Sequence, residues 1–217
     1  MKKTIIFCCL VLFVLTACKQ QEAKNDNPFF AEFDTPFGVP PFDLIKTEHY
    51  KPAIEEGMKQ EKAEIEAILT NPEPPTFENT IVAYTRTGSS LDKVTSVLYG
   101  LNSANTTPEI QALVKELSPI LSAHRDEIRL DPRLFDRIKE VYEQKDDLSL
   151  ESDQLYLLEN LYSGFVRNGA NLEGEAKEEL KEINKKLSTL GVQFSQNLLG
   201  ETNDYKLIIE DENDLKG

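Results

Sequence analysis

The side chains suited to chemistry in this 217-residue sequence are two histidines, three cysteines and a dense set of carboxylates. His49 is followed four residues later by Ala53, and His124 by Ile128. Neither opens the His-Glu-x-x-His spacing that sets two imidazoles and a general base on one helix face around zinc. His124 falls on an apolar stripe with Leu117, Leu121 and Ile128, which makes it a hydrogen-bonded core histidine. Glu127, three residues on, is placed to tune that imidazole, but one His and one Glu are not a metal site. Glu175, Glu178, Glu179 and Glu182 alternate with Lys177, Lys181, Lys185 and Lys186, the pattern of a solvated helix face and not of an acid–base dyad. No glycine-rich phosphate loop or nucleophile elbow occurs, and Gly164 and Gly169 are spaced wrongly to cradle a phosphate. On its own residues the chain offers no catalytic and no metal-binding group.

The most specific local signal is at the N-terminus. Lys2 and Lys3 precede an apolar run over residues 5–15, and Leu15-Thr16-Ala17-Cys18 follows. The run is too short to span a bilayer, which needs about 20 residues, and reads as an export signal. Its last four residues resemble the bacterial lipobox, which implies cleavage between Ala17 and Cys18 and lipidation of Cys18. Several acyl chains at about 0.8 kcal/mol per buried methylene would tether the protein stably to a membrane of the cell envelope, facing the periplasm or the outside. Cys8 and Cys9 lie in the discarded segment and Cys18 is spent on lipid, so no disulfide, thiolate nucleophile or cysteine metal site remains. The formal charge of −14 becomes −16 once Lys2 and Lys3 are removed, and this excess argues against a nucleic-acid partner. Residues 1–17 are thus a signal peptide, 18–27 a polar tether, and 28–217 the folded region.

Positioning falls to helices. Residues 28–42 are rich in Phe and Pro, cannot form a regular helix, and are expected to lie extended across a helical body. Thr47 with Glu48 is expected to start a helix reaching about Leu69, with Ile54, Met58, Ile65, Ile68 and Leu69 on its buried side. After the break at residues 71–75, Thr76 caps a second helix through Phe77, Ile81 and Tyr84, and Gly88 interrupts it before Leu91, Val94, Leu98 and Leu101. Thr107-Pro108 and Asp131-Pro132 are two N-cap and first-turn proline pairs, with Pro119 expected to kink the helix between them. Residues 152–203 carry two long patterns. In the second, Leu180, Ile183, Leu187, Leu190, Phe194 and Leu198 recur at steps of three and four. The two are expected to close as an antiparallel hairpin. Residues 205–210, rich in Leu and Ile, are expected to be one terminal β-strand without a partner, in a chain otherwise all-α.

Several stretches together resemble a known family. Asp34-Thr35-Pro36-Phe37-Gly38-Val39-Pro40-Pro41-Phe42 with Glu48-His49-Tyr50, Pro75-Thr76-Phe77-Glu78-Asn79-Thr80, Leu117-Ser118-Pro119, Ser122-Ala123-His124-Arg125-Asp126, Gly164-Phe165-Val166-Arg167-Asn168-Gly169-Ala170, and Asn197-Leu198-Leu199 with Glu201-Thr202-Asn203 are similar, in this order, to the opening of bacterial peptidyl-dipeptidases of the thimet oligopeptidase family of zinc metallopeptidases. The resemblance implies the multi-helix N-terminal lobe of a neurolysin-like fold, with the terminal strand left unpaired by truncation. It also implies a channel that admits short peptides, release of C-terminal dipeptides, and zinc whose ligands are not in this chain. The missing C-terminal part of the enzyme would then be a partner. A catalytically inactive helical lipoprotein that binds peptides or a protein is the alternative. Growth with labelled fatty acid should label this protein, and Cys18→Ser should abolish the label; label that survives the substitution would refute lipidation at Cys18.

Overall fold

The computed structural model describes residues 27–216, of which Asn27 is the first. The expected signal peptide, Ala17 and Cys18 lie outside the described residues. Asn27, assigned to the tether by sequence, is buried: its amide donates to the His49 carbonyl at 2.8 Å and its Oδ1 accepts from the Phe29 N–H at 3.1 Å. The Phe-rich segment that follows is two 3-10 turns, Pro28–Phe30 and Pro36–Gly38, joined by irregular chain. Phe29 packs at a tilt of 49° against Tyr50 with ring centres 5.1 Å apart, and the Lys93 ammonium sits 4.2 Å from the centre of the Phe33 ring. Phe37, by contrast, is fully exposed and has φ of +62°, a left-handed conformation uncommon for a residue with a side chain.

Six helices follow: α1 (Thr47–Leu69), α2 (Ser89–Ala104), α3 (Pro108–Arg129), α4 (Pro132–Glu143), α5 (Ser152–Arg167) and α6 (Gly174–Asp204). Between α1 and α2 a π-helical turn, Phe77–Val82, runs into a short helical turn, Ala83–Thr85. Three of the four expected caps are present; at α1 the N-cap is Lys46, and Thr47 is the first helical residue instead. Thr76 accepts from the Asn79 N–H while the Asn79 side chain accepts from the Thr76 N–H, a reciprocal capping box. Thr107 and Asp131 accept from Ile110 and Arg133 ahead of their first-turn prolines. Gly88, at φ +76°, turns the chain into α2 and its N–H donates to the Glu64 carboxylate at 2.8 Å. Helix α3 remains continuous through Pro119.

The apolar faces close two cores. The first gathers Tyr50 and Ile54 of α1, Val94 and Leu98 of α2, and Val114 and Leu117 of α3, with Phe29 on its edge. The second gathers Ile65 and Ile68 at the other end of α1, Phe77 and Ile81 of the π-turn, Ile128 of α3, Leu134 and Ile138 of α4, and Leu158 and Phe165 of α5. Tyr142 and Tyr162 stack there at 3.9 Å, nearly parallel.

Two expectations from the sequence are overturned. Residues 205–210 are extended chain and not a β-strand; the described residues contain no strand. A lone strand has no ladder for its backbone groups, and Leu207 and Ile208 are exposed, so burial does not order it either. Helices α5 and α6 also do not form a packed hairpin. α5 lies against α4 and the π-turn, whereas α6 runs along α3.

Helices α1 and α2 approach closely at Gly57. A Cβ on Gly57 would lie 2.9 Å from the Leu91 Cα, a backbone atom that cannot rotate away. In an open helix interior Gly→Ala gains about 0.5–1 kcal/mol. Here the sign should reverse: Gly57→Ala should lower stability by about 1–3 kcal/mol in urea unfolding, through overpacking. A gain would mean the helices part without cost.

Candidate functional site

The polar side chains that the fold brings together inside the body meet where α1, α2 and α3 converge. His124 is 6% exposed, and its Nε2 lies 2.7 Å from Oε2 of Glu61. Each residue occupies the apolar stripe of its own helix: Glu61 between Met58 and Ile65 on α1, His124 between Leu121 and Ile128 on α3. His124 is therefore the hydrogen-bonded core histidine that its spacing implies. Its partner is Glu61 on another helix, whereas Glu127 points elsewhere and pairs with Lys62 at 2.5 Å. Nδ1 of His124 is buried with no partner. His49, the other histidine, is a capping residue: its Nδ1 accepts from the Lys46 N–H at 3.1 Å at the start of α1.

Beside this pair is a cavity of about 320 Å³. Leu91, Leu121 and Ile128 give it apolar walls, and Glu61, Asp92, Arg125 and Arg129 bring charges of both signs. Burial pushes the Tyr84 phenol up from its ordinary range, with the positive charge of the Arg129 guanidinium working the other way. Just outside, burial raises the Asp126 carboxyl, opposed by the hydrogen bond that Asn184 donates to it at 2.9 Å. Sequence reasoning missed Glu61, although a lone glutamate inside a buried stripe is a readable signal for a buried partner. Arg125, Arg129 and Asp92 gave no such signal, because each falls on a partly or fully exposed helix position.

A larger open groove of about 910 Å³ follows the solvent side of α1, lined by Phe30, Glu48, His49, Glu55 and Lys59 among others. Among the described residues no three of His, Cys, Asp and Glu gather in a way that could hold a metal ion. The zinc that the family resemblance implies therefore has no fitting donor set here. Glu175, Glu178, Glu179 and Glu182 lie on α6, where Glu178 pairs with Lys181 at 2.7 Å on the surface. No described helix is long and apolar enough to cross a membrane.

Helix α6 turns its face toward α3 in an unexpected direction. The side chains nearest α3 include Lys181, Asn184, Ser188, Val192 and Gln196, and the Gln196 amide donates to the Gln111 carbonyl at 3.1 Å. The apolar stripe that seemed to demand a partner points about a third of a turn away, into solvent. Ile183, Leu187, Leu190, Phe194 and Leu198 are 44–69% exposed. Only Leu180 of that row is shielded, against Gly169 and Leu172.

No protein-family model matches the chain. Curated relatives do. Dipeptidyl carboxypeptidase of Escherichia coli (strain K12) is 38% identical over 191 residues, 88% of this chain and 28% of that protein. Its counterpart in Salmonella typhimurium is 38% identical over 193 residues, 89% of this chain and 28% of that protein. Oligopeptidase A of Haemophilus influenzae is 30% identical over 180 residues, 83% and 26% respectively. The chain thus spans little more than a quarter of the length of the relatives it matches.

The Glu61–His124 pair should be energetically coupled. Glu61→Ala should cost about 1–3 kcal/mol by leaving a buried nitrogen without its partner. In a double-mutant cycle with His124→Ala, the two losses should fall short of adding, by about 0.5 kcal/mol or more. Strict additivity in chemical unfolding would show that the contact contributes nothing.

Proposed function

We propose, from the premise that this chain is a relative of dipeptidyl carboxypeptidase and oligopeptidase A and corresponds to the N-terminal portion of the thimet oligopeptidase family, that it forms the channel-wall part of a zinc peptidase acting on short peptides. The zinc ligands and the water-activating base then come from a part of the enzyme outside these 217 residues. Release of C-terminal dipeptides is the activity most in keeping with the two relatives at 38% identity, each named dipeptidyl carboxypeptidase. Lipidation at Cys18 would hold the enzyme at the cell envelope.

The observation that carries this reading is the apolar row on α6. Five large side chains on one helix face, continued by Leu207, Ile208 and Ile209, are left in water by the described residues. Burying each is worth about 1.5–3 kcal/mol, so a face of this kind is a packing surface awaiting its complement. The remainder of the peptidase is the complement we assign to it. A second reading, a helical lipoprotein that binds peptides or a protein partner, is favoured by the exposed rings of Phe30, Phe37 and Phe42 next to the tether.

The two readings separate on the native product. Recovered from its source with an antibody against residues 19–27, it should be several times heavier than 24.6 kDa and should contain zinc, while the 217-residue chain alone should hydrolyse no peptide. A native species close to the mature chain plus lipid would overturn the peptidase reading.

A further inference from the structure

Residues 28–44 have two faces, and the fold uses one of them. Phe29 and Phe33 turn inward, Phe29 against Tyr50 and Phe33 beneath the Lys93 ammonium, whose Nζ also donates to the Phe29 carbonyl at 3.3 Å. Phe30, Val39, Phe42 and Leu44 are about half exposed, and nothing among the described residues covers Phe37. The turn that carries Phe37 is held in shape. The Gly38 N–H donates to the Thr35 carbonyl at 3.0 Å, the Thr35 hydroxyl donates to the Val39 carbonyl, and Pro36, Pro40 and Pro41 restrict the backbone on either side. Within it Phe37 takes a φ of +62°, a conformation that an exposed turn ordinarily gives to Gly or Asn. A large ring kept at such a position, and kept in water, marks a contact surface for an apolar medium.

The place where the chain enters the fold points to that medium. From Cys18 to Asn27 is nine residues, about 30 Å at full extension. A lipid anchor at Cys18 keeps Asn27 within that distance of the bilayer, and the exposed rings follow it directly in the chain. The second core sits at the far end of α1. We propose that Phe37, with Phe30, Val39, Phe42 and Leu44, inserts into the interfacial region of the lipid bilayer that holds the anchor, an inference that rests on the lipidation of Cys18. The body is then seated on the membrane by its N-terminal edge. Charge decides the kind of lipid. Glu32, Asp34 and Asp43 outnumber Lys46 in and beside this segment, so the attraction is apolar, and neutral headgroups are preferred to anionic ones.

The chain contains no tryptophan, so a single one introduced by substitution reports alone. The chain from Cys18 onward contains both cores and one thiol, which maleimide-bearing lipid in phosphatidylcholine vesicles captures whether or not the cell acylates it. A failure of lipidation in the cell, read by the fatty-acid label, is thereby kept apart from a failure of membrane seating. On coupling, the emission of the Phe37→Trp variant should move to shorter wavelength and be quenched by lipids brominated along their acyl chains. The Tyr156→Trp variant, altered at an exposed position of α5, should show neither change. Replacing part of the phosphatidylcholine with phosphatidylglycerol should weaken the Phe37→Trp response. The proposal is overturned if the coupled Phe37→Trp variant keeps its water-exposed emission, the outcome expected where a protein partner or the rest of the enzyme covers these rings. It is overturned equally if the Tyr156→Trp variant is quenched as strongly, or if the response requires the anionic lipid.

Discussion

Helix α1 and helix α2 meet at a distance that only a glycine permits, and the rest of the body is arranged around that contact. With Gly57 against the backbone of Leu91, the two helices lie close enough for Ile54, Val94 and Leu98 to share one buried cluster. That closeness fixes α1 along its whole length. A helix of 23 residues extends about 34 Å at 1.5 Å per residue, long enough to contribute to one core with Ile54 and to another with Ile65 and Ile68. The π-turn, α4 and α5 assemble on the far half of a ridge whose near half is already held.

The seam between the two cores is polar. Reading along α1, the residue between the two apolar sets is Glu61; reading along α3, it is His124. Their contact at 2.7 Å joins the two helices at matching positions. A buried charged or polar pair adds little net stability, since desolvation offsets most of the attraction. What it does is penalise other registers: sliding α3 along α1 by a turn would bury each group against an aliphatic neighbour. The pair therefore helps to set the alignment of α1 and α3, beside the exposed ion pairs Lys51–Glu116 and Lys62–Glu127.

Much of this was legible in the sequence, and the reasons differ by element. Helix starts were readable because their chemistry is local: Thr76, Thr107 and Asp131 hydrogen-bond to backbone groups two or three residues away. The burial of His124 was readable from the stripe it shares. Its partner was not, because Glu61 is 63 residues distant and only tertiary packing brings it there. The orientation of α6 was misjudged for a related reason. Periodicity identifies an apolar face but not which neighbour covers it, and α3 offered Asp126 and the Gln111 carbonyl to the polar side of α6. The strand expected at residues 205–210 rested on composition, which cannot supply a pairing edge.

The division of labour between the cores and α6 also orders events in time. Every buried residue of the first core lies between Phe29 and Leu121, and every one of the second between Ile65 and Ala170. Synthesis proceeds from the N-terminus at about 5–20 residues per second, so the first core has its full complement of buried residues before the second does, and both before α6 exists. Helix α6 then docks through side-chain hydrogen bonds and Val192 onto a finished surface. Nascent chain leaving a ribosome thus conceals the apolar residues of both cores before the apolar row of α6 is made.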